Sequence, residues 1–112
     1  MSLKKASIEP LLNELRGWSG SLKALTIPSL EEASFSQERG LSLWRWGDVD
    51  PAARGLGTYL FDDLDGTGLF LTIVGSPAGL VKEIEIWRGD GRPAGRVPSV
   101  EDLAPAVHGK IV

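Results

Sequence analysis

The sequence predicts an α+β fold, with an N-terminal helix packed on a twisted antiparallel sheet of four or five strands. Three observations lead there. An apolar stripe at helical spacing, Ile8, Leu11, Leu12 and Leu15, lies near the start of the chain. Strand-like runs between Gly57 and Pro98 are separated by two tight turns, Asp63-Leu64-Asp65-Gly66 and Ser76-Pro77-Ala78-Gly79. The run Leu69–Val74 is apolar at five of six positions, as in a central strand covered on both faces. At 112 residues the chain is expected to form a single domain, 1–112, long enough for a real core.

Taken in order, Ser7 is the expected helix N-cap, with Glu9 and Pro10 in the first turn and Gly17 just past the end. The turn-rich stretch Gly17-Trp18-Ser19-Gly20 follows. Leu22–Ile27 reads as an edge strand ended by Pro28. Ser29–Arg39 carries two signals: a helix start capped by Ser29, and strand-like alternation at Ala33-Ser34-Phe35-Ser36. It is read as irregular structure leading into a strand. Leu41–Trp46 is a strand, with Leu41, Leu43 and Arg45 on one face and Ser42, Trp44 and Trp46 on the other. Gly47–Gly55 is a loop with room for one helical turn after Pro51. Thr58–Asp62, Leu69–Val74 and Leu80–Arg88 are strands, with Leu69–Val74 in the middle. In the last of them Leu80, Ile84 and Ile86 are assigned to the core, and Val81, Glu83, Glu85 and Trp87 to the opposite face. Gly89–Pro93 closes the sheet, and Ser99–Leu103 reads as a short C-terminal helical turn capped by Ser99.

Composition narrows the function classes. The net charge of −3 disfavours nonspecific binding to nucleic acid. The chain has no cysteine, which removes disulfides and thiolate chemistry and fits a cytoplasmic protein. The N-terminal stretch has no long apolar run, so no signal peptide is expected. No stretch approaches the roughly 20 apolar residues that span a bilayer.

Catalytic signals are weak. Asp62, Asp63 and Asp65 are the densest carboxylate cluster, but no glutamate follows at the calcium-loop distance, and Asp-Gly serves a hairpin turn well. Glu83 and Glu85 alternate along one strand face, where paired carboxylates either do acid–base work or lie solvated. His108 is the only histidine, so neither a triad nor a histidine metal site is available. No phosphate loop and no G-x-G-x-x-G occurs. The sequence therefore predicts no catalytic residues, no metal and no cofactor. Trp44-Arg45-Trp46 is the most suggestive local motif: two indoles on one strand face stack on a ligand or cover the sheet. The expected binding face carries Trp44, Trp46, Glu83, Glu85 and Trp87, uncovered by the helix.

The stretch Gly57–Pro98 resembles a group of small bacterial proteins of unknown function. The matching residues are Phe61, Asp63, Asp65 and Gly66, then Glu83-Ile84-Glu85-Ile86-Trp87-Arg88, then Pro98. The group's glycine-rich strand start is reduced here to Arg39-Gly40-Leu41-Ser42-Leu43. Related small proteins lie in toxin–immunity neighbourhoods, so the resemblance implies an immunity-like or other protein-binding role and supplies no catalytic residues. The resulting expectation is a non-enzymatic, cytoplasmic bacterial protein that binds a basic protein partner, not nucleic acid or membrane. The alternative is a small-molecule binder using the tryptophan-rich face.

Overall fold

The structure, a computed structural model, describes residues 3–16, 25–48 and 50–105. A 3-10 turn at Lys5–Ile8 runs directly into helix α1, Glu9–Arg16. Ser7 lies inside this turn rather than capping the helix, and its hydroxyl accepts the Lys4 N–H at 2.8 Å. Pro10 has no N–H to give, which suits the first turn of α1. The expected connection at Gly17-Trp18-Ser19-Gly20 and the first half of the expected Leu22–Ile27 strand, 22–24, lie outside the described residues, and the described half, 25–27, forms no strand beyond a single bridge. Thr26 forms a parallel bridge with Leu80.

Both signals in Ser29–Arg39 are realised in succession. Ser29 caps a 3-10 turn at Leu30–Glu32, and strand β1 follows at Ala33–Glu38. The sheet continues with β2 (Leu41–Trp46), β3 (Arg54–Asp62), β4 (Gly68–Gly75), β5 (Val81–Arg88) and a two-residue β6 (Ala104–Pro105). The spatial order is β1-β2-β5-β4-β3-β6, and every pairing is antiparallel. As expected, β4 is interior, between β3 and β5. Ser99 precedes a 3-10 turn at Val100–Asp102.

Turn chemistry sets the register. Gly66 and Gly79, at φ +85° and +97°, end the two loops that join β3 to β4 and β4 to β5. In each, the glycine N–H bonds the carbonyl three residues back, Asp63 or Ser76, at 3.0 Å. This is a type I turn followed by a left-handed residue. The β1–β2 link is tighter, with Arg39 and Gly40 at φ +53° and +85°. Two successive positive φ values define a type I′ turn, which matches the strand twist.

The helix covers one face. Ile8, Leu11, Leu12 and Leu15 are buried in a single core with Trp44 and Trp46 of β2, Tyr59 and Phe61 of β3, Leu69, Leu71 and Ile73 of β4, and Val81, Ile84 and Ile86 of β5. Two expectations are corrected. Strand β4 is covered on one face only, since Phe70 remains exposed. Val81, not Leu80, joins Ile84 and Ile86 in the core. Gly75 pairs with Val81 whereas Val74 pairs with Glu83, so Lys82 is the extra residue of a β-bulge. The bulge reverses the alternation and turns Leu80 outward. Gly75 is required there, because a Cβ on it would collide with the Leu80 carbonyl.

Candidate interaction surface

The register fixes what the open face presents. Leu41 is opposite Trp87, Trp87 opposite Phe70, and Phe70 opposite Leu60. These four side chains form one row across β2, β5, β4 and β3, spanning about 14 Å at the usual interstrand spacing. Trp87 is 47% exposed and Phe70 39%, and their ring centroids lie 6.0 Å apart, within the range of a tilted aromatic pair. The next row is Leu43, Glu85, Thr72 and Thr58, and the one after it holds Arg45, Glu83 and Val74. Alternation adds Glu38 and Asp62 at the margins of the face. Four carboxylates and one guanidinium thus frame an apolar row.

Trp44 and Trp46 do not belong to this face, which corrects the expectation. Both are buried on the helix side. The Trp44 indole donates to the Lys5 carbonyl at 3.0 Å, and the Trp46 indole donates to the Ser29 carbonyl at 2.9 Å. Each ring fills core, and its N–H satisfies backbone in the segments around the helix and the Ser29 turn. Phe35 packs on Trp44 at 4.8 Å between ring centroids. Ser42 shares this buried face and accepts from the Gln37 side-chain amide at 2.8 Å. Glu83, Glu85 and Trp87 do share the open face.

The two glutamates are not equivalent. Glu83 is bound by the Arg45 guanidinium at 2.9 Å. Glu85 is partly desolvated and lies beside the Glu83 carboxylate, and these two effects push its pKa above the usual glutamate range. A raised carboxyl pKa means the folded state binds the proton more tightly than the unfolded chain. Stability from this group is therefore gained as pH falls through the folded pKa and is lost as pH rises above it. Glu85→Gln is expected to raise the melting temperature at pH 7 and to flatten its pH dependence above about 4.3. A lower melting temperature at pH 7 would contradict this assignment.

The aspartates of the Asp63–Gly66 turn have a different role. Arg88, the last residue of β5, is buried with its side chain among three carboxylates. Its Nη1 donates to Asp63 at 2.7 Å and to Asp65 at 3.3 Å; its Nη2 donates to Asp65 at 2.7 Å and to Asp90 at 2.9 Å; its Nε donates to Asp90 at 2.8 Å. That accounts for all five guanidinium donors. Asp63 also accepts the Leu64 and Gly95 amides. The cluster ties the β3–β4 turn to the loop after β5, with Arg88 as its cation. Among the described residues, no group of three or more His, Cys, Asp or Glu side chains is arranged to hold a metal. His108 lies outside the described residues.

No family model matches this chain, and no curated protein or solved structure matches it.

Phe70, Leu41 and Leu60 are the surface residues that sequence reasoning missed. Their periodicity marks them only as strand residues. The bulge at Lys82 decides that Phe70 stands opposite Trp87 rather than opposite Ile86.

Proposed function

We propose that the protein is a non-enzymatic binding module that holds a basic protein partner on the open face of its sheet. The row Leu41–Trp87–Phe70–Leu60 carries this reading. It is an aromatic-centred apolar strip on the face opposite the helix, framed by Glu38, Asp62, Glu83 and Glu85. Tryptophan anchors with a charged rim are the usual make-up of an interface hot spot. Complementary charge speeds encounter and selects a cationic surface over an acidic one, a second copy of this face included. An immunity-like role in a bacterial cytoplasm fits the same chemistry. Among the described residues, no helix is long and apolar enough to cross a membrane. Clefts of about 590, 280 and 320 Å³ lie elsewhere, and neither Trp87 nor Phe70 lines them.

The test compares affinity capture by the natural protein, by Trp87→Ala and by Leu64→Ala. Leu64 is 78% exposed at a turn tip and off the face. A basic protein held by the natural chain and by Leu64→Ala should bind Trp87→Ala more weakly by about 2 kcal/mol or more. The urea midpoint of Trp87→Ala should change little. Equal capture by all three proteins would overturn the proposal.

A further inference from the structure

We infer a second interaction surface, the free edge of β1, which is built to accept an extended, basic segment of a partner as an added strand. This does not rest on the open-face reading. The phase of the backbone ladder follows from one bond. Arg88 donates its N–H to the Gly40 carbonyl at 2.9 Å, so in β2 the even-numbered residues are bonded to β5. The odd-numbered residues Leu41, Leu43 and Arg45 therefore bond to their partners Glu38, Ser36 and Ser34 in β1. The type I′ turn requires the same phase, because its flanking residues Glu38 and Leu41 form a bonded pair. The N–H and C=O groups of Phe35 and Gln37 must then point away from the sheet. No backbone or side-chain bond to these groups occurs among the described residues, and β1 pairs with β2 alone.

An open edge of this kind is usually blunted by proline, lysine, a bulge or a covering element. Strand β1, Ala33-Ser34-Phe35-Ser36-Gln37-Glu38, has no proline or lysine, and its register with β2 is unbroken. The opposite edge is treated differently, since β6 pairs with Tyr59 and Leu60 of β3. Unpaired, alternating donors and acceptors are matched by another extended backbone. Charge selects which one. Glu31 and Glu32 lie at one end of β1, where the Lys5 ammonium donates to the Glu31 carbonyl at 3.2 Å, and Glu38 lies at the other end beside Arg39, so carboxylates outnumber cations along this edge. A second copy pairing antiparallel about Phe35 would set Glu32 against Glu38, and like charges directly opposite are destabilising. A strand carrying lysine or arginine near its ends meets no such penalty.

The test starts with amide hydrogen exchange in the free protein. The Phe35 and Gln37 amides should exchange roughly 100-fold faster than those of Ser34, Ser36 and Glu38. A blocked peptide, Lys-Thr-Val-Thr-Val-Lys, is then titrated and followed by amide chemical shifts. Shifts are expected along β1, with new protection at Phe35 and Gln37. Two N-methylated versions keep the peptide's charge, each methylated on one of the two alternating sets of residues. One should bind at least about tenfold more weakly and the other like the parent, because only one set faces the edge. Gln37→Pro removes an outward N–H without loss of a ladder bond and should abolish binding, whereas Trp87→Ala should leave it intact. If Gln37→Pro does not fold, the methylated peptides still decide. Equal binding by both methylated peptides, shifts centred on Trp87, or slow exchange at Phe35 and Gln37 in the dilute protein would overturn the inference. Protection that grows with protein concentration would also overturn it, in favour of a second copy.

Discussion

Trp44→Ala is expected to destabilise the fold by about 3–5 kcal/mol, the range for truncating a large buried aromatic. The indole is fully buried between the sheet and the helix layer, and it touches Phe35 on β1. Its loss opens a cavity that a backbone held by neighbours on both sides, β1 and β5, can fill only in part. It also leaves the Lys5 carbonyl without its donor, at the point where the N-terminal turn is fastened to the sheet. Trp44→Phe separates the two effects: most of the ring volume remains, and the missing hydrogen bond should account for about 1 kcal/mol. Urea unfolding of both variants beside Trp87→Ala is the decisive comparison. If Trp87→Ala costs as much as Trp44→Ala, the two faces have been assigned the wrong way round.

That assignment is where sequence and structure part. The helix was legible in the spacing of Ile8, Leu11, Leu12 and Leu15, and the hairpins in their Asp-Gly and Pro-Ala-Gly turns, because both signals are local. The face of each strand was not. In Leu-Ser-Leu-Trp-Arg-Trp each alternating set holds two apolar residues and one polar one, so hydrophobicity does not say which set meets the helix. Two partners settle it. The Trp44 and Trp46 indoles find carbonyls in the segments that cover the sheet, and Ser42 finds Gln37 beside it. At the other end, Lys82 inserts into β5 and exchanges the roles of Leu80 and Val81. A bulge is one residue of backbone geometry with no composition of its own, and it determines which side chains stand beside Trp87. Asp62, Asp63 and Asp65 were visible as a cluster, but only Asp63 and Asp65 share a cation, Arg88, which lies at the end of β5 more than twenty residues further along the chain and takes Asp90 as its third carboxylate. Only the pairing of β4 with β5 brings the two together.

The second large effect is expected at that cluster. Asp63→Ala should cost about 3 kcal/mol, the lower end of the range for breaking a buried ion pair, because Asp65 and Asp90 still compensate the guanidinium. The loss is not confined to the pair. The Gly95 amide, 3.0 Å from Asp63, would also lose its acceptor, so the loop after β5 would come away from the turn. Acid should reveal the same network. Hydrogen bonds from Arg88 hold Asp65 well below the usual carboxylate range, and they hold Asp90 at about 2. For a depressed carboxyl the stabilisation is complete above the unfolded value near 3.9 and drains away as pH falls through the folded one. Unfolding monitored by far-ultraviolet circular dichroism should therefore show a loss of stability between about pH 4 and 2. In Arg88→Gln the same two carboxyls lose their cation and should titrate closer to their ordinary values, held down by the backbone N–H groups of Thr67 and Arg92. That variant should be less stable at pH 7 and should lose less on acidification. An acid transition as steep as that of the natural protein would mean that the stability drained below pH 4 is held by other carboxylates, and that Arg88 only tethers the turn.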